Sequence, residues 1–239
     1  MVDVDVNDYI DYWVANGTMF MGHAHPAVAA AVSAVLQRGT HFGMSHDLIP
    51  RLAAKVVELV PSADLVRFTN SGTEATAHAI RIARGYTGRR KIARFEGTFH
   101  GVLDGIYVGV RARFDRDDCS GIPPSAYEDL LICPFNDLER TAATLRRHSS
   151  DLAGVILEPI SGVIPADPAF LRGLRELTTE LGAVLIYDEK DVPRRPKGFG
   201  FLAPRGEGLT VTAATYSSSK FPARALAGRT TVRAFIGGS

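Results

Sequence analysis

The chain has 239 residues, a formal charge of +1, 46% hydrophobic and 22% charged content, the profile of a soluble globular protein with one large domain or two small ones. That balance sets up no global field to attract nucleic acid or an anionic membrane, and the short basic run Arg89, Arg90, Lys91 reads as a solvated turn. Cys119 and Cys133 form neither a metal-type pair nor a disulfide framework, so a reducing cytoplasm is the simplest setting. The acidic start MVDVDVNDYIDYW has no leader features, and no apolar run is long enough to span a bilayer.

In chain order, HPAVAAAVSAVLQRG (25–39) and DLIPRLAAKVVELVP (47–61) carry apolar residues at helical spacing and stop at Gly39 and Pro61, which predicts two helices. LVRFTN (65–70) is a strand candidate, TEATAHAIRIARGYTG a helix, and RKIARFEG (90–97) a second strand bounded by glycine. LAGVILEP (152–159) and GAVLIYDE (182–189) are continuous apolar runs ending in acids, with the helix DPAFLRGLRELTTELG (167–182) between them: a βαβ unit. Runs apolar on both faces suit parallel strands covered by helices, so the fold class is α/β, a three-layer αβα arrangement with a mostly parallel sheet. After residue 190 the periodicity degrades among prolines, glycines and basic residues, and the chain ends at RAFIGGS without a capped element.

In such a sheet ligands lie outside the carboxyl ends of the strands, so those ends hold the candidate site. Ser71, Gly72 and Thr73 follow the first strand and open a helix. Backbone amides, the helix dipole and two hydroxyls converge there as a phosphate requires; equally, Ser71 or Thr73 can simply cap the helix, worth about 1 kcal/mol. Asp188 ends the strand AVLIYDE and Glu158 the strand GVILEP, positions where a carboxylate is costly unless a cation or protonated ring faces it, although acids also end strands for trivial reasons. In FEGTFHG (95–101) Phe99 offers a flat face to a planar ligand and His100 a hydrogen bond to an oxygen; a packed loop aromatic is the simpler alternative.

Taken together, GHAHPAV, VRFTNSGTEATAHAIRIARGYTGRRKIARFEGTFHG, GVILEPISG and FLRGLRELTTELGAVLIYDE resemble the class III (subgroup II) pyridoxal-phosphate-dependent aminotransferases, in particular glutamate-1-semialdehyde aminomutases and related aminotransferases. The resemblance runs from Asp5 to Glu189 in order. It implies the large domain of a fold-type I enzyme, with residues 1–24 as an N-terminal segment, 25–239 as the cofactor-binding large domain and the small domain largely missing. It implies that Ser71, Gly72 and Thr73 bind the cofactor phosphate, that Phe99 stacks on the pyridine ring beside His100, that Asp188 pairs with the pyridine nitrogen, and that Glu158 lies near cofactor and substrate. The cofactor is then pyridoxal 5'-phosphate, the partner a second copy in a homodimer, and the substrate a small amino or keto acid or an amine. The reaction is transfer of an amino group, or its intramolecular shift, by Schiff-base chemistry.

Two departures qualify that resemblance. Family members carry Asp-Glu-Val where this chain has Asp188, Glu189 and Lys190, so a cation replaces an apolar wall. The family's Schiff-base lysine precedes a segment matched here by FPARALAGR (221–229), and ungapped alignment puts Thr215 or Tyr216 in its place. Lys220 serves if the loop is rebuilt; Lys190 shares a strand face with Asp188 and is the other candidate. Members of the family also extend beyond both ends of the matched segment, so the resemblance implies a chain truncated at both ends, and the alternative function is an inactive aminotransferase-like scaffold that binds the cofactor non-covalently or acts by association. The histidines at 23, 25, 41 and 46 have the chemistry for zinc, but the resemblance explains GHAHP as a structural segment, and no G-x-G-x-x-G follows a strand.

Overall fold

The computed structural model describes residues 1–12, 19, 21–59, 65–111, 114, 121–161, 164–188, 210–213 and 234–236. Two units divide at Ile49/Pro50. In the first, an isolated antiparallel bridge joins Val2 to Asp8, and Asp3 Oδ1 accepts the amides of Asp5 and Asn7, both at 2.9 Å. Helix α1 (Pro26–Leu36) opens with proline, whose fixed φ suits the first helical position, and buries none of its residues. Helix α2 (Leu48–Leu59) crosses that division, with all but its first two residues in the second unit. Both helices fall within the stretches that periodicity predicts. Among the described residues no helix is long and apolar enough to cross a membrane.

The second unit is built on a seven-stranded sheet. In chain order its elements are β1 (Leu65–Val66), α3 (Gly72–Thr87), β2 (Lys91–Phe95), α4 (Asp104–Tyr107), β3 (Leu130–Cys133), α5 (Leu138–Arg147), β4 (Leu152–Leu157), the short hairpin β5–β6 (Ile160–Ser161 and Ile164–Pro165), α6 (Pro168–Glu180), β7 (Val184–Asp188), β8 (Thr210–Ala213) and β9 (Ala234–Ile236). The sheet order is β1-β9-β8-β7-β4-β2-β3, and each of its pairings is parallel. The βαβ unit expected from residues 152–189 is β4–α6–β7, in register Gly154↔Val184 through Leu157↔Tyr187. The fading of pattern after residue 190 is corrected at two places: Thr210–Ala213 and Ala234–Ile236 are strands, too short to show a period but paired in the parallel sheet.

Alternation along the central strands explains the layers. Ile92, Ile156, Val184 and Ile186 pack with Ala75, Ala79, Ile80 and Ala83 of α3 on one face. Ala93, Phe95, Val155, Leu157, Leu185 and Tyr187 pack with Leu145 of α5 and Phe170, Leu174 and Leu177 of α6 on the other. Both faces are therefore buried, as continuous apolar runs require, and each fully buried Leu, Ile or Phe contributes about 1.5–3 kcal/mol. The alanines of α3 allow a close approach: a Cβ on Gly154 would lie 2.9 Å from the Val184 carbonyl and 3.3 Å from Ala83 Cβ. At the opposite end of the strands from Asp188, Arg89 is not a solvated residue: its Nη1 donates to the carbonyls of Leu181 at 2.8 Å and Leu152 at 3.2 Å, tying the end of α6 to the start of β4. Arg90 is exposed as expected, and Lys91 pairs with Asp129 at 3.4 Å.

Candidate functional site

Helix α3 begins with a reciprocal cap. Ser71 Oγ accepts the Glu74 amide at 3.2 Å and donates to Glu74 Oε2, which also accepts the Asn70 amide at 2.7 Å. This is a variant of the Ser-x-x-Glu capping box, in which the Glu74 carboxylate takes the Asn70 amide in place of that of Ser71. The first ladder bond is Ala75 N to Ser71 O at 3.0 Å, so the amides of Gly72 and Thr73 precede the ladder and point out of the helix start. Ser71 is thus a cap, and the amides of Gly72 and Thr73 are left unused by it.

The loop after β2 is fastened to that first turn. Thr76 Oγ1 donates to the His100 carbonyl at 2.8 Å, and the Val102 amide donates to Thr73 Oγ1 at 3.2 Å. Gly101, at φ +87°, lies so close to α3 that a Cβ there would sit 2.8 Å from Thr73 Cα. Only glycine fits. His100 is buried, and its Nδ1 lies 2.9 Å from Asp188 Oδ2. An ionised carboxylate only accepts, so opposite a charged Asp188 the donor is Nδ1. Phe99 points the other way, 37% exposed, with its ring edge-on to Tyr107 at 6.3 Å. The packed member of this pair is the histidine, while the aromatic keeps an accessible face. The Phe99 amide donates to Glu158 Oε2 at 3.0 Å. Because Leu157 pairs with Tyr187, Glu158 and Asp188 leave adjacent strands at the same level, 5% and 3% exposed.

The expected residues Thr73, Phe99, His100, Glu158 and Asp188 are therefore joined in one hydrogen-bonded constellation at the carboxyl end of the sheet, with Ser71 and Gly72 at its helix terminus. Lys190 and Lys220 lie outside the described residues. Sequence reasoning missed Arg94, which is fully buried at the end of β2, as well as Thr76 and Thr98. The one local signal for Arg94 is a cation set between the apolar Ala93 and Phe95 of KIARF. In the first unit, His23 pairs with Asp11 at 2.8 Å and His46 with Asp47 at 3.0 Å.

Residues 1–191 match the family model described as aminotransferase class-III. The chain belongs to the class III aminotransferases. Within this family it is 45% identical over 194 residues to glutamate-1-semialdehyde 2,1-aminomutase 2 of Geobacillus kaustophilus, covering 78% of this chain and 45% of that one. It is 46% identical over 194 residues to glutamate-1-semialdehyde 2,1-aminomutase of Chloroflexus aurantiacus, covering 78% and 44%. An omega-transaminase structure from Sphaerobacter thermophilus superposes with a TM-score of 0.75 at 38% identity, over 79% of this chain and 46% of that one. A structure described as a transaminase with PLP bound gives 0.76 at 37% identity, with the same coverage. The chain spans under half the length of these relatives.

Membership in the class III family implies pyridoxal phosphate, and the donor set suits it. Two helix-terminal amides suit a phosphate, the accessible Phe99 ring suits a planar heterocycle, and Asp188 offers a second oxygen: Oδ1 accepts no bond among the described residues, while Oδ2 is held by His100.

Proposed function

We propose that the chain is the cofactor-binding part of a pyridoxal-phosphate-dependent enzyme that transfers an amino group between small amino and keto compounds, or shifts it within one molecule as the aminomutase relatives' name states. The observation that carries this reading is the buried Asp188–His100 pair, 2.9 Å between Oδ2 and Nδ1, at the end of a parallel strand. A buried carboxylate anchored through one oxygen can present the other to a ring N–H and hold the proton there. Gly72 and Thr73 would bind the phosphate through their amides; Phe99 would stack on the ring; Glu158 would fix Phe99 through its backbone. Bound there, pyridoxal phosphate supplies an electron sink for bond breaking at the amino-bearing carbon. Lys220, or else Lys190, would attach the cofactor aldehyde and move protons.

We further infer a homodimer working in the cytoplasm; the buried free thiol of Cys133 agrees with a reducing compartment. The test is a titration of the purified chain with pyridoxal phosphate, followed by borohydride reduction and peptide mapping. A saturable visible band and a label at Lys220 are expected. Absence of saturable binding overturns the cofactor reading; binding without a lysine label and without turnover of an amino donor overturns the catalytic one.

A further inference from the structure

The guanidinium of Arg94 is completely buried; four of its bonds go to one loop, and its Nε donates to the Phe95 carbonyl at 3.4 Å. Nη2 donates to the Thr98 carbonyl and, at 3.1 Å, to Thr98 Oγ1. Nη1 donates to the carbonyls of Ile106 at 2.5 Å and Val108 at 3.1 Å. These bonds close the neck of the loop that carries Phe99 and His100, with Thr98 on one side of the neck and the end of α4 on the other. The position follows from β2 itself: Ile92 packs against α3, and Arg94, two residues on, faces the same side, where the loop replaces the helix.

One peptide unit is gripped at both ends. The Thr98 carbonyl accepts from Arg94, and the Phe99 amide of the same peptide plane donates to Glu158 Oε2 at 3.0 Å. The oxygen, which carries the negative end of the peptide dipole, thus faces the cation, and the N–H faces the carboxylate, so both charges favour one orientation of a plane that has little freedom of its own. The next two residues are the candidate ring-stacking Phe99 and the Asp188 partner His100.

We propose that Arg94 is a positioning residue for the cofactor-facing loop: with Glu158 it clamps the Thr98–Phe99 peptide and thereby sets the placement of Phe99 and the His100–Asp188 hydrogen bond. The importance of this loop rests on the function proposed above; the clamp itself does not. Lysine cannot replace Arg94, because a single ammonium on a flexible stem cannot reproduce a planar fork that reaches carbonyls on both sides of the neck.

The experiment reads the His100 Nδ1 proton by NMR in the cofactor-free chain, where a buried ring N–H bonded to a carboxylate exchanges slowly; the resonance is assigned by its loss in His100→Gln. Arg94→Lys is expected to shift or broaden that resonance while the far-UV circular dichroism stays that of the parent, and to weaken pyridoxal phosphate binding at least tenfold. Thr98→Val, which removes a hydroxyl but keeps the clamped carbonyl, is expected to leave the resonance in place. A folded Arg94→Lys chain with an unmoved resonance overturns the proposal, even if its melting temperature falls, because that outcome is a purely structural role. If Arg94→Lys does not fold, Glu158→Leu, which removes the acceptor, decides from the other end of the peptide: a displaced resonance supports the clamp and an unmoved one overturns it. Since the resonance needs no cofactor, a parent chain that binds no pyridoxal phosphate refutes the functional reading and leaves this result standing.

Discussion

Replacing Gly101 by alanine tests whether the loop and α3 are fitted against each other as tightly as the geometry states. The added Cβ would lie 2.4 Å from Thr73 Oγ1, 2.8 Å from Thr73 Cα and 2.9 Å from Thr73 Cβ, at φ +87°. A side-chain oxygen can rotate away, but Cα belongs to the first turn of the helix and cannot. The backbone conformation costs about 1–2 kcal/mol for an L residue. Overpacking adds about 1–3 kcal/mol. The total, roughly 2–5 kcal/mol, corresponds to a melting temperature lower by roughly 10 °C for a chain of this size. Gly88→Ala is the control: φ is +68° and no atom of the described residues lies within 4 Å of an added Cβ, so it carries the backbone term alone. Relief of the Gly101→Ala clash requires the loop to retreat, stretching the Val102–Thr73 and Thr76–His100 bonds, so the His100 resonance should move as well. The assay is urea and thermal unfolding of both variants beside the parent. If Gly101→Ala loses no more stability than Gly88→Ala, the loop is not seated on Thr73 and the reasoning fails.

Ser71→Ala removes the capping hydroxyl and should cost about 1 kcal/mol, seen as a fall of a few degrees in melting temperature; no loss would mean that the box does not cap α3. Burial, reinforced by Glu96, pushes the Cys133 thiol up to about 12, so in a Cys119→Ser background a disulfide reagent at mildly alkaline pH should label Cys133 only after denaturation; rapid labelling of the native chain would refute its burial. Partial burial and then the charges of Arg67 and Arg81 lower the His78 pKa against the opposing pull of Glu74, while the ring nitrogen lies 3.5 Å from Arg67 Nη2. The folded state therefore binds this proton less readily than the unfolded one. The contribution is intact above the unfolded pKa of about 6.5 and is lost as pH falls through and below it, so His78→Gln should flatten the acid side of the stability profile, and an unchanged slope would refute the shift.

What was legible in the sequence was legible for a physical reason. β4 and β7 announce themselves because both of their faces are buried, so every position is apolar until Glu158 and Asp188. α3 shows through its alanines, Ala75, Ala79 and Ala83, which recur at helical spacing because the sheet demands small residues there. α5 went unread: it buries only Thr141 and Leu145, and its other residues are largely polar, so its stripe is too thin to stand out. β8 and β9, at four and three residues, were unreadable because a strand that short is defined by its pairing, Asp188↔Ala213 and Thr212↔Phe235, which is non-local information.

The site divides along the same line. Residues that speak through local chemistry, such as an acid ending a strand or a Ser-Gly-Thr turn opening a helix, can be found by scanning the chain. Arg94 cannot, because its role exists only once Thr98, Ile106 and Val108 have been folded around it. Ser71 shows why the two kinds of information must be combined. Read locally, a helix cap and a phosphate cradle are rivals for the same turn. In three dimensions they are compatible: the hydroxyl of Ser71 accepts the Glu74 amide, and the Glu74 carboxylate accepts the Ser71 hydroxyl and the Asn70 amide. That reciprocal box stiffens the turn without touching the amides of Gly72 and Thr73. A helix start has four unpaired amides, so a cap that uses one of them still leaves the others able to meet an anion.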